Sequence, residues 1–535
     1  MSPSKSNRSL AQIAVLVAVA TLFSKVSGLL RQQVLAAVFG VGPAVDAYSY
    51  AYVVPGFLLI LLGGINGPFH SAIVSVLAKR QAKDAAEVVE TITTLVTVVF
   101  VAVTLLLIGF ADPLIHFVAP GLGSTPQGAE VHRIAVDQLR IMAPMAVFAG
   151  LIGIGFGVLN ATDQYWLPSI SPIISSLTVL MGIGGLAISL GPAVLEPAYV
   201  VLGGQVLAWS TLAGAVGQWL IQLPAQASVG LGRLRLRWAW GDPGVQDVVR
   251  LLIPATLSSG MLHINVYVDL FFASYIPQAA AALGYAQLLI QAPLGILSNM
   301  ILVPFLPVFA RLAAPEHWPE LRQRIRQSLV YVALVMLPLG TLTCTLGLPI
   351  VRLIYERYAF DRQASLLVAE VLAAYGVGMF VYLARDVLVR VFYALGDGQT
   401  PFRVSMVGIG LNALGDALLV GPLGAGGIAL ATAAVNAVAL LLLLVILERR
   451  IGGLPWQAWG QVIAVLTGIS AVAGVVSWGV WAALPVSLTH SFVGLTLGLS
   501  LASAAGLGVF SGGVMTLKLP EAQELVGLVT RRLRR

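Results

Sequence analysis

Runs of about 20 mostly apolar residues alternate along the chain with short clusters of Gly, Pro and charge, and a run of that length is what an α-helix needs to cross a bilayer. Splitting the 535 residues at those clusters predicts about 14 transmembrane helices. Their approximate ranges are 10–38, 44–78, 86–111, 129–159, 165–190, 196–225, 246–275, 279–310, 327–350, 364–395, 401–420, 425–448, 457–484 and 490–516. The expected class is an all-α integral membrane protein.

Composition agrees. With 58% hydrophobic and only 10% charged residues, no soluble core absorbs this much apolar sequence. The start, Leu10 to Phe23 behind Lys5 and Arg8, has the look of a signal peptide but runs on past signal-peptide length, so it is expected to be an uncleaved first span. Cys344 is the lone cysteine, which removes a disulfide framework, a zinc cluster and a Cys-His nucleophile from consideration.

The net charge of +7 is spread over the connections between apolar runs, a pattern of membrane orientation rather than of nucleic-acid binding. Lys5 and Arg8, Lys79, Arg80 and Lys83, Arg233, Arg235 and Arg237, Arg311 to Arg326, Arg403, Arg449 and Arg450, and Arg531 to Arg535 all fall on alternate connections. The positive-inside rule then places both termini in the cytoplasm, and an even helix count, which puts them on one side, agrees.

An internal repeat recurs at an offset of about 235 residues. Ala20-Thr-Leu22 returns as Ala255-Thr-Leu257, Tyr50-Ala51 as Tyr285-Ala286 and Pro68-Phe69 as Pro304-Phe305. Six helices separate the copies, so the expected design is two six-helix pseudo-symmetric lobes, 1–228 and 229–452, followed by two extra helices over 453–518 and a basic tail over 519–535. The second helix of each lobe is expected to be interrupted, by Pro55 and Gly63 to Pro68 in one and by Pro293, Gly295, Pro304 and Pro307 in the other. Such paired breaks mark a substrate path, or merely bent helices that pack.

Ionisable residues inside spans cost ~2.5–3.5 kcal/mol each even on the lenient insertion scale, so they point to cavities or partners. In the first lobe these are Lys25, Arg31 and Asp46, supported by Asn66, His70, Asp137 and Arg140. Lys25 and Arg31 either contact different parts of one large anion or join Asp46 in a structural ion cluster; Asp137 and Arg140 are expected to pair with each other. Asn265 with Asp269, and Asn412 with Asp416, share an Asn-x-x-x-Asp spacing that puts each pair on one helical face. With Thr432 they suit a hard cation such as Na⁺, a proton shared between the acids, or two separate amide–acid pairs. Asp386 and Arg390 read as a salt bridge. No Walker loop, His-Glu-x-x-His or Gly-x-Ser-x-Gly is present, so neither nucleotide hydrolysis nor acyl transfer has a residue set to run it.

Phe23-Ser-Lys-Val-Ser-Gly-Leu-Leu-Arg-Gln32, followed by Phe39-Gly-Val-Gly-Pro-Ala-Val-Asp-Ala-Tyr48, resembles the opening signature of the MurJ (MviN) lipid II flippases of the multidrug/oligosaccharidyl-lipid/polysaccharide exporter superfamily. Asp269-Leu-Phe-Phe-Ala-Ser274 and Ala292-Pro-Leu-Gly-Ile296 resemble its middle region. The resemblance implies two lobes around a cationic cavity, a lipid-facing groove at the last two helices, and export of the undecaprenyl-pyrophosphate-linked disaccharide-pentapeptide across the bacterial inner membrane. It also implies substrate contacts at Lys25, Arg31 and Asp46, and a sodium site at Asp269, Asn412, Asp416 and Thr432 with the carbonyl of Ile428. Two family features are missing. Phe57 to Gly63 carries no arginine, and an expected Asp-Arg pair is replaced by Gln287-Leu288 with Gln291 nearby. Asn66, Gln287 and Gln291 are left as polar substrate contacts without countercharge. The implied partners are lipid II, membrane lipids and cell-wall synthesis proteins. Alternatives are a polysaccharide-precursor or small-molecule exporter, a membrane glycosyltransferase, or a non-transporting cell-wall scaffold.

Overall fold

The computed structural model describes residues 10–64, 67–77, 80, 82–231, 234–261, 263–485, 491–517 and 521, and among these every regular element is helical. The chain divides into two compact units, residues 1–281 with 357–360, and residues 282–356 with 361–535. The first holds α1 (Leu10–Phe39), α2 (Pro43–Gly63), α3 (Pro68–Leu77), α4 (Ala82–Gly109), α5 (Ala111–Val118), α6 (Pro126–Met142), α7 (Met145–Ala161), α8 (Trp166–Ile170), α9 (Pro172–Leu190), α10 (Val200–Leu220), α11 (Leu223–Ser228), α12 (Pro243–Met261) and α13 (Ile264–Ala273). α14 (Ala279–Arg311) starts in the first unit and runs on into the second. The second then holds α15 (Trp318–Thr345), α16 (Gly347–Tyr355), α17 (Arg362–Ala394), α18 (Gln399–Ile451), α19 (Trp456–Ala483) and α20 (Phe492–Thr516).

Ten helices among the described residues are long and apolar enough to cross a membrane, eleven if the bent pair α6–α7 counts as one span. α18 is two helices joined at Gly424, whose φ of 52° and ψ of −141° lie outside the helical region. Counting its halves separately, and adding α1 and the α12–α13 pair, gives the fourteen expected spans. This is a multi-pass membrane protein.

The chain punctuates its helices where local chemistry demands. α1 ends at Gly40, which takes φ +56°, and Pro43 opens α2, where its missing N–H costs nothing. Thr125, Asp361 and Ser491 accept N–H bonds from Gly128, Ala364 and Gly494 to cap α6, α17 and α20.

The interrupted second helix is present in the first copy, where α2 stops at Gly63 and α3 resumes at Pro68. The expected break in the second copy is not: α14 carries Pro293, Pro304 and Pro307 inside one continuous helix of 33 residues. A proline removes one backbone bond and bends a helix, whereas the first copy also has Gly64 and Gly67 at its break, where an added methyl would strike the carbonyls of Ile60 and Leu61. A break the spacing did not predict falls between α12 and α13, at His263.

The first unit is closed by a core in which Phe69, Ile73, Val88, Ile92, Val158, Val245 and Val248 meet from α3, α4, α7 and α12. That contact accounts for α12 joining this unit beyond residue 228. Helices in a bilayer have no hydrophobic drive toward one another and rely on close backbone approach. α7 supplies it with Gly150, Gly153, Gly155 and Gly157, where added methyl groups would strike Val96, Leu62, Gln222 and Ile73 respectively.

Both ends of the unit are tied. At one, Arg80 pairs with Asp242 at 3.3 Å and Arg237 with Glu87 at 2.6 Å. At the other, where α4 delivers the chain, Gly121 N–H donates to Ser274 Oγ at 2.9 Å and Ala359 N–H to Ala37 C=O at 3.0 Å. The basic connections around residues 80 and 237 thus share one face, as the charge alternation predicts. In the second unit Val330, Ala333 and Leu334 of α15 pack against Leu466 and Ala473 of α19 and Phe510 and Val514 of α20, so the two last helices are part of its body.

Gly153→Ala forces its new methyl into the Leu62 carbonyl, and overpacking of this kind costs ~1–3 kcal/mol. The variant should melt measurably lower in detergent, while Gly184→Ala, with nothing within 4 Å, should melt like the parent; equal midpoints would mean the α2–α7 contact is not tight.

Candidate substrate and cation sites

The cations predicted on the first helix lie on α1 at different depths. Arg31 is eight residues from the end of α1, ~12 Å, and Lys25 is ~9 Å further along the axis, near mid-helix. Lys25 is exposed, whereas Arg31 is half-buried and its Nε is buried without a hydrogen-bond partner. The tight turn at Gly40 brings α2 back alongside, so that the Arg31 charge acts on the phenols of Tyr48 and Tyr52. Those rings stack with centroids 5.2 Å apart, and Tyr48 Oη lies 3.2 Å from Thr211 Oγ1 of α10. The result is a guanidinium with an uncommitted N–H whose charge is felt by two phenols, one of them bonded to a hydroxyl. A planar cation of this kind matches the oxygens of a phosphate, and the hydroxyls add neutral donors.

Asp46 has a different environment. It is 3% exposed, and its Oδ1 accepts the Ala281 N–H at 3.0 Å, with the amides of Gln278 and Ala280 also bonding to the carboxylate. These are the orphan donors at the start of α14, so Asp46 caps that helix from α2. It also stands at the wall of a cavity of about 320 Å³ rimmed by Ser124, Gln127, Glu130, Ser274 and Gln278. Asp46 therefore does not pair with Arg31 or Lys25. Asn66 lies outside the described residues. Gln287 and Gln291 are exposed, one turn apart on α14 in the second unit. The expected Asp137–Arg140 pair is present at 3.9 Å.

The residues singled out for a cation fall in both units. Asp269 is half-buried on α13 in the first, one turn from Asn265, whose Oδ1 is buried and unbonded. Asn412, Asp416, Ile428 and Thr432 are in the second. Asn412 Nδ2 donates to Asp416 Oδ2 at 3.2 Å, and Thr432 Oγ1 lies 3.5 Å from Asn412 Oδ1. Asp416 is 0% and Asn412 1% exposed. Ile428 is buried one turn before Thr432, just past the break at Gly424. The Gly424 break folds the two halves of α18 back on each other and brings residues 412–416 against 428–432. One carboxylate with amide, hydroxyl and carbonyl oxygens is a donor set for a hard cation of low charge. Among the described residues no three His, Cys, Asp or Glu side chains gather.

The network extends to further polar residues of α17 and α18. Asn436 Nδ2 donates to Thr432 C=O at 2.8 Å, and Arg385 donates to Asn436 Oδ1 at 3.3 Å and to Ser405 Oγ at 3.1 Å. Among the described residues the salt bridge expected between Asp386 and Arg390 is not among the ion pairs formed, although the i,i+4 spacing allows it, while the adjacent Arg385 bonds to α18. Tyr48, Tyr52, Thr211 and Asn436 were missed. Tyr48 and Tyr52 did carry a signal, two phenols at i,i+4 in a membrane span on the stretch after Asp46.

The model of the family described as "Lipid II flippase MurJ" matches residues 35–511. A Synechocystis sp. protein named "Probable lipid II flippase MurJ" is 53% identical over 539 residues, covering 100% of both chains. "Lipid II flippase MurJ" of Burkholderia cenocepacia is 28% identical over 86% of this chain and 88% of its own. Among solved structures, "Lipid II flippase MurJ, inward closed conformation" superposes with a TM-score of 0.71 at 20% identity, covering 94% of this chain and 100% of that one. An inward-facing multidrug resistance MATE family transporter of the MOP superfamily gives 0.64 at 14% identity over 82% and 98%. Both structures share the fold.

Asp46→Ala leaves the first amides of α14 without an acceptor in a buried place, at ~1–3 kcal/mol. The unfolding midpoint should fall, and Asp46→Asn, which keeps an oxygen acceptor, should recover most of it. No drop for Asp46→Ala would show the carboxylate is free for another role.

Proposed function

Since the chain belongs to the MurJ family, we propose that it moves lipid II from the inner to the outer leaflet of a bacterial inner membrane by alternating access, without enzymatic change to the cargo. The observation that carries this reading is full-length identity of 53% to a relative of that name. The membrane-embedded Arg31 with its uncommitted Nε adds a group suited to the pyrophosphate. In this reading both termini are cytoplasmic, on the face shared by Arg80 and Arg237.

The chemistry of the cargo sets the task. A pyrophosphate cannot cross hydrocarbon unescorted, while its polyprenyl tail can remain in lipid. Arg31 binds the anion through charge-assisted N–H bonds, with the Tyr48 and Tyr52 hydroxyls as further donors. Lys25, deeper along the same helix, offers a second charge, so the anion is handed along α1 rather than held at one point. Uncharged Phe57 to Gly63 and Leu288 mean that α1 supplies most of the positive charge. Weak grip favours release, and a membrane potential that is negative inside pushes an anion outward by ~2.3 kcal/mol per charge per 100 mV.

The oxygens of Asn412, Asp416, Thr432 and Ile428, all in the second unit, would hold a sodium ion. Bound there, the ion neutralises a buried carboxylate and ties the two halves of α18. Asn412 positions the Asp416 carboxylate, and Asn436 with Arg385 fixes the Thr432 end of the network.

The decisive experiment is rescue of a strain depleted of its only lipid II flippase, with lipid II exposure in the outer leaflet as readout. The parent chain should rescue. Arg31→Ala should cut exposure roughly tenfold or more, the value of a charged hydrogen bond of ~1.5–3 kcal/mol, with Arg31→Lys intermediate and Tyr48→Phe milder. Failure of a correctly inserted parent chain would favour a different lipid-linked or small-molecule cargo of the superfamily. For the cation, NaCl should raise the melting temperature of purified protein above that in choline chloride, and Asp416→Asn should abolish the difference. Equal response to both salts in the parent would remove sodium from the scheme.

A further inference from the structure

The connection between α11 and α12 crosses the end of the first unit as an extended strap, Leu234-Arg-Leu-Arg-Trp-Ala-Trp240, in which large apolar and smaller or basic residues alternate. Extended chain sends successive side chains to opposite sides. Leu234, Leu236, Trp238 and Trp240 point away from the protein, 61%, 92%, 69% and 55% exposed. The other side is fastened to α4. Arg237 N–H donates to Thr94 Oγ1 at 3.1 Å, Thr94 Oγ1 lies 3.4 Å from Arg235 C=O, and the Arg237 guanidinium reaches Glu87 at 2.6 Å and Glu90 at 4.0 Å.

Those contacts fix the depth of the strap. α4 carries its last charge at Glu90 and then runs uncharged from Thr91 to Gly109, ~28 Å, close to the ~30 Å hydrocarbon thickness. Glu87 and Glu90 therefore mark the headgroup side of the boundary, and Thr94 lies about one turn inside it. A backbone bonded to Thr94 sits at the interface, where tryptophans are favoured because the ring is apolar and the N–H is wet. At the end of the strap, Trp240 walls a cleft of about 190 Å³ with Val245, Gln246, Val249 and Arg250. One wall is apolar and the other offers an exposed guanidinium, the two halves of an anionic phospholipid.

We propose that residues 234–240 form an interfacial anchor of this protein, with Leu234, Leu236, Trp238 and Trp240 inserted at the level of the acyl-chain boundary and the Trp240–Arg250 cleft seating the headgroup of an anionic phospholipid. The anchor is independent of the transported cargo. It uses Arg237 internally, as the tie to α4, and leaves Arg250 to face the lipid. Tying a long connection to both α4 and the bilayer holds the start of α12 at fixed depth, which matters because α12 and α3 share the core at Val245 and Val248.

The test uses the full chain in nanodiscs. With ten tryptophans present, the strap is isolated by subtracting the spectrum of Trp238→Phe/Trp240→Phe from that of the parent. In phosphatidylcholine brominated just below the headgroup, the difference emission should be blue-shifted and at least halved relative to unbrominated lipid. Leu236→Glu, at a position exposed enough to leave the fold intact, should shrink that quenching. A red-shifted difference spectrum, quenched by aqueous iodide and untouched by bromolipid, overturns the anchor and makes the strap a water-facing edge for a protein partner. For the cleft, native mass spectrometry of protein from mixed phosphatidylglycerol and phosphatidylcholine should show preferential retention of the anionic lipid. Arg250→Gln should lower that preference roughly fivefold, corresponding to about 1 kcal/mol per basic residue at an anionic surface. An unchanged preference, with the melting temperature also unchanged, overturns the headgroup seat.

Discussion

Inside a bilayer every polar backbone group and every charge must find a partner within the protein or in cavity water, and the described structure is largely an answer to that demand. Asp46 is the clearest case. The amides that open α14 have no residues of their own helix to bond, and a carboxylate on α2, buried and 235 residues away, takes the Ala281 N–H. A residue that reads as a substrate ligand by its charge is, in its surroundings, what allows a membrane helix to begin where it does.

The same constraint sorts the remaining ionisable groups. Arg31 keeps a buried Nε with no hydrogen-bond partner, the feature on which its proposed role toward a pyrophosphate rests. Asn412 bonds Asp416 and meets Thr432 across the Gly424 break, and Arg385 reaches α18 rather than its acidic neighbour on α17. Where helices must approach, glycines on α7 replace side chains, because lipid gives no hydrophobic reward for burial between helices. Where the chain crosses the interface, Arg237 is neutralised by Glu87 and the tryptophans face out.

Much of this was legible along the chain. Windows of apolar residues gave the fourteen spans, charge alternation gave the shared face of the connections near Arg80 and Arg237, and the Gly-rich run gave the broken helix between α2 and α3. The spacing Asn-x-x-x-Asp found Asn412 and Asp416, which do bond. Prolines misled: Pro293, Pro304 and Pro307 sit inside continuous α14. Proline alone restricts a helix without ending it, and the signal that mattered was proline together with consecutive glycines.

By itself, then, the sequence determined what depends on period, length and composition: the number of helices, their polarity and where cations interrupt them. These are local, since a span is chosen by the free energy of its own residues in lipid. Only the tertiary structure decided which polar groups answer one another. That Asp46 serves α14 rather than Arg31, that Tyr48 meets Thr211, and that α12 joins the first unit are all contacts between residues distant in the chain. Their partners are set by helix packing at a few ångströms, for which sequence spacing carries no information.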